Sequence, residues 1–199
     1  PAKGGEYLNT RQTGEMFMYS DYYWRIIKTE NDGTTKAICL GTLIEDDFQY
    51  EVSYDNTNVL IYNPTEKGNI GYQINNRSSK YFSTDLLVNH TIEVPIYSGE
   101  IAYGKEKGYK KYTVKVSAPN TYEIFSAHDP LTAQMGSYWM INSSKKIGEA
   151  AAVFYQGSAV NGEIEPNAGF GVRPVGYFHK NVVITSGTGT LTDPYVIKK

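Results

Sequence analysis

The residues of this chain that could do chemistry are its three histidines, its single cysteine and its clustered carboxylates. Ser126-Ala127-His128-Asp129 sets a nucleophile, a base and an orienting carboxylate side by side. Nucleophilic catalysis needs those groups to converge, and neighbours in an extended chain point apart. No G-x-S-x-G turn lifts a serine out of a strand. Asp46, Asp47, Glu51 and Asp55 share one stretch, but without the spacing of a calcium loop, so they read as a solvated loop. Cys39 is alone, which excludes an intramolecular disulfide and a cysteine-based zinc cluster. It lies in the apolar run TKAICLG and reads as a buried, inert thiol. These residues predict no enzyme activity, no cofactor and no metal.

One charge asks for a structural explanation. GFGVRPVGYF, residues 169–178, has the composition of a buried strand, yet it carries Arg173 and Pro174 in its middle. Proline cannot donate a ladder hydrogen bond. A permanent charge beside such a residue needs partners that the local sequence does not supply.

The elements around these residues are mostly strands. YYWRIIK and TTKAICL flank Asp32-Gly33, a strong hairpin signal. Simple alternation puts Trp24, Ile26 and Lys28 on one face, and Tyr23, Arg25 and Ile27 on the other. Residues 69–90 are the best helical candidate, with Ile70, Ile74, Tyr81 and Leu87 at loose helical intervals and capping residues at 83–85. Pro95 marks TIEVPIYS as an edge strand or extended loop. KKYTVKVSAP alternates, with Tyr112, Val114 and Val116 on one face. NTYEIFSA suits a short helix opened by Asn/Thr cap chemistry. SYWMIN, AAAVFYQ, NVVIT and DPYVIK read as further strands.

The organisation expected is an N-terminal arm at 1–13, one globular domain at 14–180 and a C-terminal strand pair or extension at 181–199. An ordered arm, with Tyr7 and Leu8 as its contacts, must be held by its own domain or by a neighbour. The chain begins at Pro1 without Met, so it reads as a mature or trimmed form.

Composition narrows the partners. The net charge is −2, and the densest basic cluster, KEKGYKKYTVK, alternates with tyrosines and a glutamate. That excludes a nucleic-acid footprint. No apolar run reaches the length of a membrane span. Tyrosine is in excess, 18 residues against 7 Phe and 2 Trp, as suits wet sheet faces or a recognition surface.

Several segments together resemble a family. They are YYWRIIKTENDGT, GNIGYQINN, TYEIFSA, SYWMINSS, AVFYQGSAVNGE leading to GVRPV, and GTGTLTDPYVI. The chain is similar, over most of residues 14–197, to domains of unassigned function in surface and pilin-like proteins of gut Firmicutes. The Trp139 strand, the hairpin and the V-R-P unit also resemble the C-terminal part of C-type-lectin-like folds, including the formylglycine-generating-enzyme family. That family's activity depends on a cysteine pair, which this chain lacks. The resemblance implies scaffold roles for Trp24, Trp139, Arg173 and Pro174. In it Arg173 would snorkel or bury its fork against carbonyls and a carboxylate, and Pro174 would end the ladder where the chain leaves the sheet. Glu165-Pro166-Asn167 resembles the sugar-selectivity tripeptide of calcium-dependent lectins, but the Trp-Asn-Asp strand that completes such a site is missing, and turn chemistry accounts for it.

The expected fold is α+β and β-dominated, with one or two helices, many short antiparallel strands and C-type-lectin-like features in the last third. The expected function is a non-catalytic extracellular protein on the surface of a Gram-positive bacterium. It would be a subunit of a pilus-like or other adhesive assembly, partnered by copies of itself or other surface subunits. The alternative is a monomeric adhesin domain binding glycan or host protein through Tyr97, Tyr103, Tyr109, Asn142, Glu165 and Asn167.

Overall fold

The computed structural model describes residues 5–41, 43, 62–96, 108–120, 123, 138–141, 153–155, 158–160 and 171–199. Among them the strands are β1 Glu6–Tyr7, β2 Met16–Tyr19, β3 Tyr22–Thr29, β4 Thr35–Cys39, β5 His90–Ile96, β6 Gly108–Val114, β7 Val116–Ser117, β8 Val153–Tyr155, β9 Ser158–Val160, β10 Val175–Phe178, β11 Val183–Ser186 and β12 Tyr195–Lys198. One α-helix, α1, spans Ile70–Arg77. Among the described residues the fold is β-dominated, α1 is short, and Glu123 is also helical. An eight-stranded mixed sheet runs β1-β11-β12-β2-β3-β4-β10-β7, and β5-β6 and β8-β9 form separate two-stranded ribbons.

Local chemistry sets the turns. Ser20 and Asp21 both take positive φ, so β2 and β3 join through two left-handed residues, the geometry that matches strand twist. In the β3–β4 turn Asp32 Oδ1 accepts the N–H and the hydroxyl of Thr34, and Gly33 takes φ +86°.

One face of the sheet carries an aromatic core. Trp24 and Phe17 are fully buried and lie next to Phe178 and Phe82, with the Trp24 ring edge-on to both phenylalanines. Trp24 Nε1 donates to the Tyr19 carbonyl at 3.3 Å, which satisfies its one polar atom. Gly176 lets this packing close, since a Cβ there would sit 2.9 Å from Leu87 and 3.3 Å from Trp24.

Four sequence expectations change. The β3–β4 register slips between Ile26 and Lys28, so Ile26 pairs with Ala37 and Lys28 with Lys36. This bulge buries Ile26 and Ile27 together and turns Lys28 to the side of Arg25, against simple alternation. The helix stops at Arg77 and gives way to a single 3-10 turn, Ser78–Lys80. Asn69 caps its start by accepting the Gly71 N–H, whereas Ser78 Oγ bonds back to the Ile74 carbonyl near its end. Ser83 and Asp85 start no helix; Asp85 Oδ1 accepts the Ser83 and Tyr19 hydroxyls. Pro174 precedes β10 rather than ending it, and its carbonyl accepts the Cys39 N–H at 2.8 Å.

The fourth change concerns the N-terminus. Residues 5–13 are held by their own domain. β1 pairs with β11, Leu8 is 1% exposed, and Asn9 donates its side-chain N–H to the Gly33 carbonyl. At the other end, residues 181–199 supply the strand pair β11–β12, and both strands belong to the main sheet. Pro95 lies in β5, which pairs with β6 alone among the described residues and so tolerates a missing donor.

Candidate functional site: buried charges at β4 and β10

β4 and β10 pair with Lys36 opposite Tyr177. Both side chains are buried, Tyr177 to 1%. Lys36 Nζ is ion-paired with Glu123 Oε1 and lies 5.1 Å from the centre of the Tyr177 ring. Glu123 is 2% exposed and is fixed from its own segment as well. Its Oε2 accepts the Asn120 N–H at 2.8 Å, and its own N–H donates to Asn120 Oδ1 at 2.9 Å. This is a reciprocal capping box with Asn in the usual Ser/Thr place. A buried ion pair holds only when both partners keep further hydrogen bonds or stacking, and here each does.

His90, the first residue of β5, stacks on Tyr177 with ring centres 4.0 Å apart and planes 13° from parallel. Its Nδ1 lies 4.0 Å from Asp32 Oδ2. Burial holds the imidazole below its ordinary range; Glu30 and Asp32 pull it up, and Lys36 and Lys28 push it down. The Tyr177 phenol is pushed well up, first by burial and then by the Glu123 and Glu30 charges. The neighbouring Tyr62, also buried, accepts the Ala118 N–H through its hydroxyl oxygen. Burial likewise raises its phenol, so both rings stay neutral.

Two residues before β10, Arg173 forms a second buried charge, 2% exposed. Its Nε donates to the Cys39 carbonyl at 3.2 Å, and its Nη1 to the Tyr138 hydroxyl at 3.4 Å. The guanidinium carbon lies 5.2 Å from the Tyr138 ring centre. The expected carbonyl partner is there. Among the described residues no carboxylate pairs with Arg173, and its Nη2 has no hydrogen-bond partner. Burial raises the Cys39 thiol to about 12, so it stays protonated, and the Cys39 carbonyl rather than its sulfur does the polar work.

The chain matches no protein-family model, no curated protein and no solved structure.

Of the predicted scaffold residues, Trp139 and Pro174 sit beside Arg173 and its partners. Trp139 is fully buried and its N–H donates to the Gly171 carbonyl, next to the Tyr138–Gly171 bridge. Trp24 belongs to the opposite, aromatic face. Of the proposed ligand contacts, Tyr109 is 54% exposed on β6. Tyr97, Tyr103, Asn142, Glu165 and Asn167 lie outside the described residues, as do His128 and the acidic stretch from Asp46 to Asp55. His179 accepts the Asn181 N–H on Nδ1 and so closes the turn into β11. Among the described residues no three His, Cys, Asp or Glu side chains converge as metal ligands. No helix among them is long and apolar enough to cross a membrane.

The Lys36–Glu123–Tyr177–His90 cluster was not read from the sequence. Two signals were there: Asn120-x-x-Glu123 at capping-box spacing, and a lysine inside an otherwise apolar strand. Chemically, the cluster ties chain segments far apart in sequence onto β4 and β10. Lys36 and Glu123 neutralise each other, Tyr177 remains a phenol, and His90 is half-buried with one face of its ring on Tyr177.

Proposed function

We propose that this chain is a non-catalytic subunit of an extracellular bacterial surface assembly, pilus-like or otherwise adhesive, of a Gram-positive cell. The observation that supports it is the use made of the buried charges. Lys36, Glu123 and Arg173 are all committed to holding segments against the sheet, and none is presented to a substrate. A catalytic group has to reach a reacting atom; these reach the fold itself. The resemblance to surface and pilin-like domains supplies the location, and the resemblance of the Trp139 segment and Gly171–Val175 to C-type-lectin-like folds supplies the expected relation of the last third.

The partners in this reading are copies of the chain or other surface subunits. A second reading, a monomeric adhesin domain for glycan or host protein, is favoured by one observation. Tyr109 stands on an isolated two-stranded ribbon, a flat amphipathic ring with little entropy to lose on binding.

Electron microscopy with light scattering on the purified protein tests the proposal. Ordered filaments or oligomers support the assembly reading. A clean monomer that binds a glycan or host protein saturably, and loses that binding on Tyr109→Ala, supports the second.

A further inference from the structure

We propose that β1, β11, β12 and β2 form a mechanical clamp that bears tension between the two ends of the chain. The inference rests on register. Glu6 pairs with Ile184, which pairs with Ile197; Tyr7 pairs with Val183, which pairs with Lys198. β1 and β12 are each antiparallel to β11, so they run in the same direction with one strand between them. The chain enters β1 and leaves β12 through neighbouring cross-strand rows, heading the same way.

Tension on the residues before Glu6 and after Lys198 therefore pulls β1 and β12 in opposite senses along their axes. Antiparallel ladder bonds lie perpendicular to the strands, so this load reaches the bonds of a ladder together rather than in turn. β2 repeats the geometry. It is parallel to β12, with Phe17 opposite Tyr195 and Met18 opposite Val196. If β1 yields, force enters β2 at Met16 and leaves β12 at Lys198, again at opposite ends of adjacent parallel strands.

Side chains bolt the same elements. Arg11 pairs with Glu6 at 3.1 Å and lies over the Tyr195 ring at 5.9 Å. Tyr195 donates its hydroxyl to Glu15 at 2.9 Å, and Met16 N–H donates to the Gly189 carbonyl at 2.8 Å. Leu8, Ile184 and Tyr195 are buried beneath them, which keeps water from replacing the bonds.

A load-bearing domain has its use in a tethered surface structure, and in that respect the inference rests on the proposed function. The test is single-molecule force spectroscopy on the full chain, pulled in two geometries at one loading rate. The first attaches handles to the two ends. The second attaches them to the C-terminus and to Asn181→Cys, an exposed position just before β11. The second geometry opens the β11–β12 pair from its Val183–Lys198 end, one bond at a time. The expected result is an unfolding force higher by about twofold or more in the end-to-end geometry, because forced unfolding follows the barrier rather than the stability. Equal forces would overturn the clamp, whatever the protein assembles into. A high end-to-end force in a protein that forms no assembly would uphold the clamp and count against the surface-subunit reading alone.

Discussion

Lys36 of β4 and Glu123 meet in the interior over the ring of Tyr177, joined from residues 87 positions apart in the chain. Removing one partner leaves the other charge buried and uncompensated. Lys36→Met is expected to destabilise by about 3–5 kcal/mol, and Glu123→Leu by a similar amount. The double variant should recover much of that loss, since two apolar groups need no partner. Urea midpoints for the three proteins check it; additive losses in the double variant would refute the pairing.

Arg173 gives a different expectation, because its partners among the described residues are a carbonyl, a hydroxyl and a ring. Arg173→Ala removes the Cys39 and Tyr138 contacts and opens a cavity, at a cost of about 2–5 kcal/mol. Arg173→Met fills much of the volume and leaves no orphaned Nη2, so it should cost less than Arg173→Ala. Denaturation midpoints for the two variants test the order. An unchanged midpoint in both would show that Arg173 does not hold the Tyr138 segment.

His90 makes stability depend on pH. Its folded-state pKa lies below the unfolded value of about 6.5, because burial against Tyr177 disfavours the charge. The unfolded chain therefore takes up the proton first. The contribution is fully present above about pH 6.5 and is lost as pH falls through the folded value. Unfolding midpoints measured between about pH 7.5 and 5.5 should decline, and His90→Phe, which keeps a ring on Tyr177, should flatten that decline. An identical slope in the variant would assign the effect elsewhere.

Leu8 tests whether the N-terminal residues belong to the core. It is 1% exposed, and its N–H donates to the Val182 carbonyl. Leu8→Ala is expected to cost about 2–5 kcal/mol, far more than a residue on a free arm would. Deleting residues 1–13 should accordingly lower the thermal midpoint rather than leave it unchanged.

Gly187 tests the turn between β11 and β12. It takes φ +94°, and a Cβ there would lie 2.1 Å from the Pro194 carbonyl oxygen. Gly187→Ala should cost well over ~1 kcal/mol, more than Gly108→Ala, where φ is also positive but nothing lies within 4 Å. Thermal midpoints of the two variants compare backbone strain with and without collision.

By itself the sequence determined the β-dominated class, the Asp32-Gly33 hairpin, the buried thiol of Cys39 and the burial of Trp24 and Trp139. Each of these follows from local chemistry: turn residues that accept positive φ, and apolar side chains that leave water wherever the chain takes them. The end of the helix at Arg77 was less legible, because Ser78 turns its hydroxyl back on the preceding turn and the apolar spacing beyond it serves strand contacts. Tertiary structure alone decided the rest. The bulge at Ile27 turned Lys28 to a different face, since register depends on a partner strand. Lys36 found Glu123, and Arg173 found the Cys39 carbonyl, across separations that no local spacing encodes. The placing of β1 and β12 on either side of β11 is of the same kind, because strand order is a choice among non-local pairings of similar local strength.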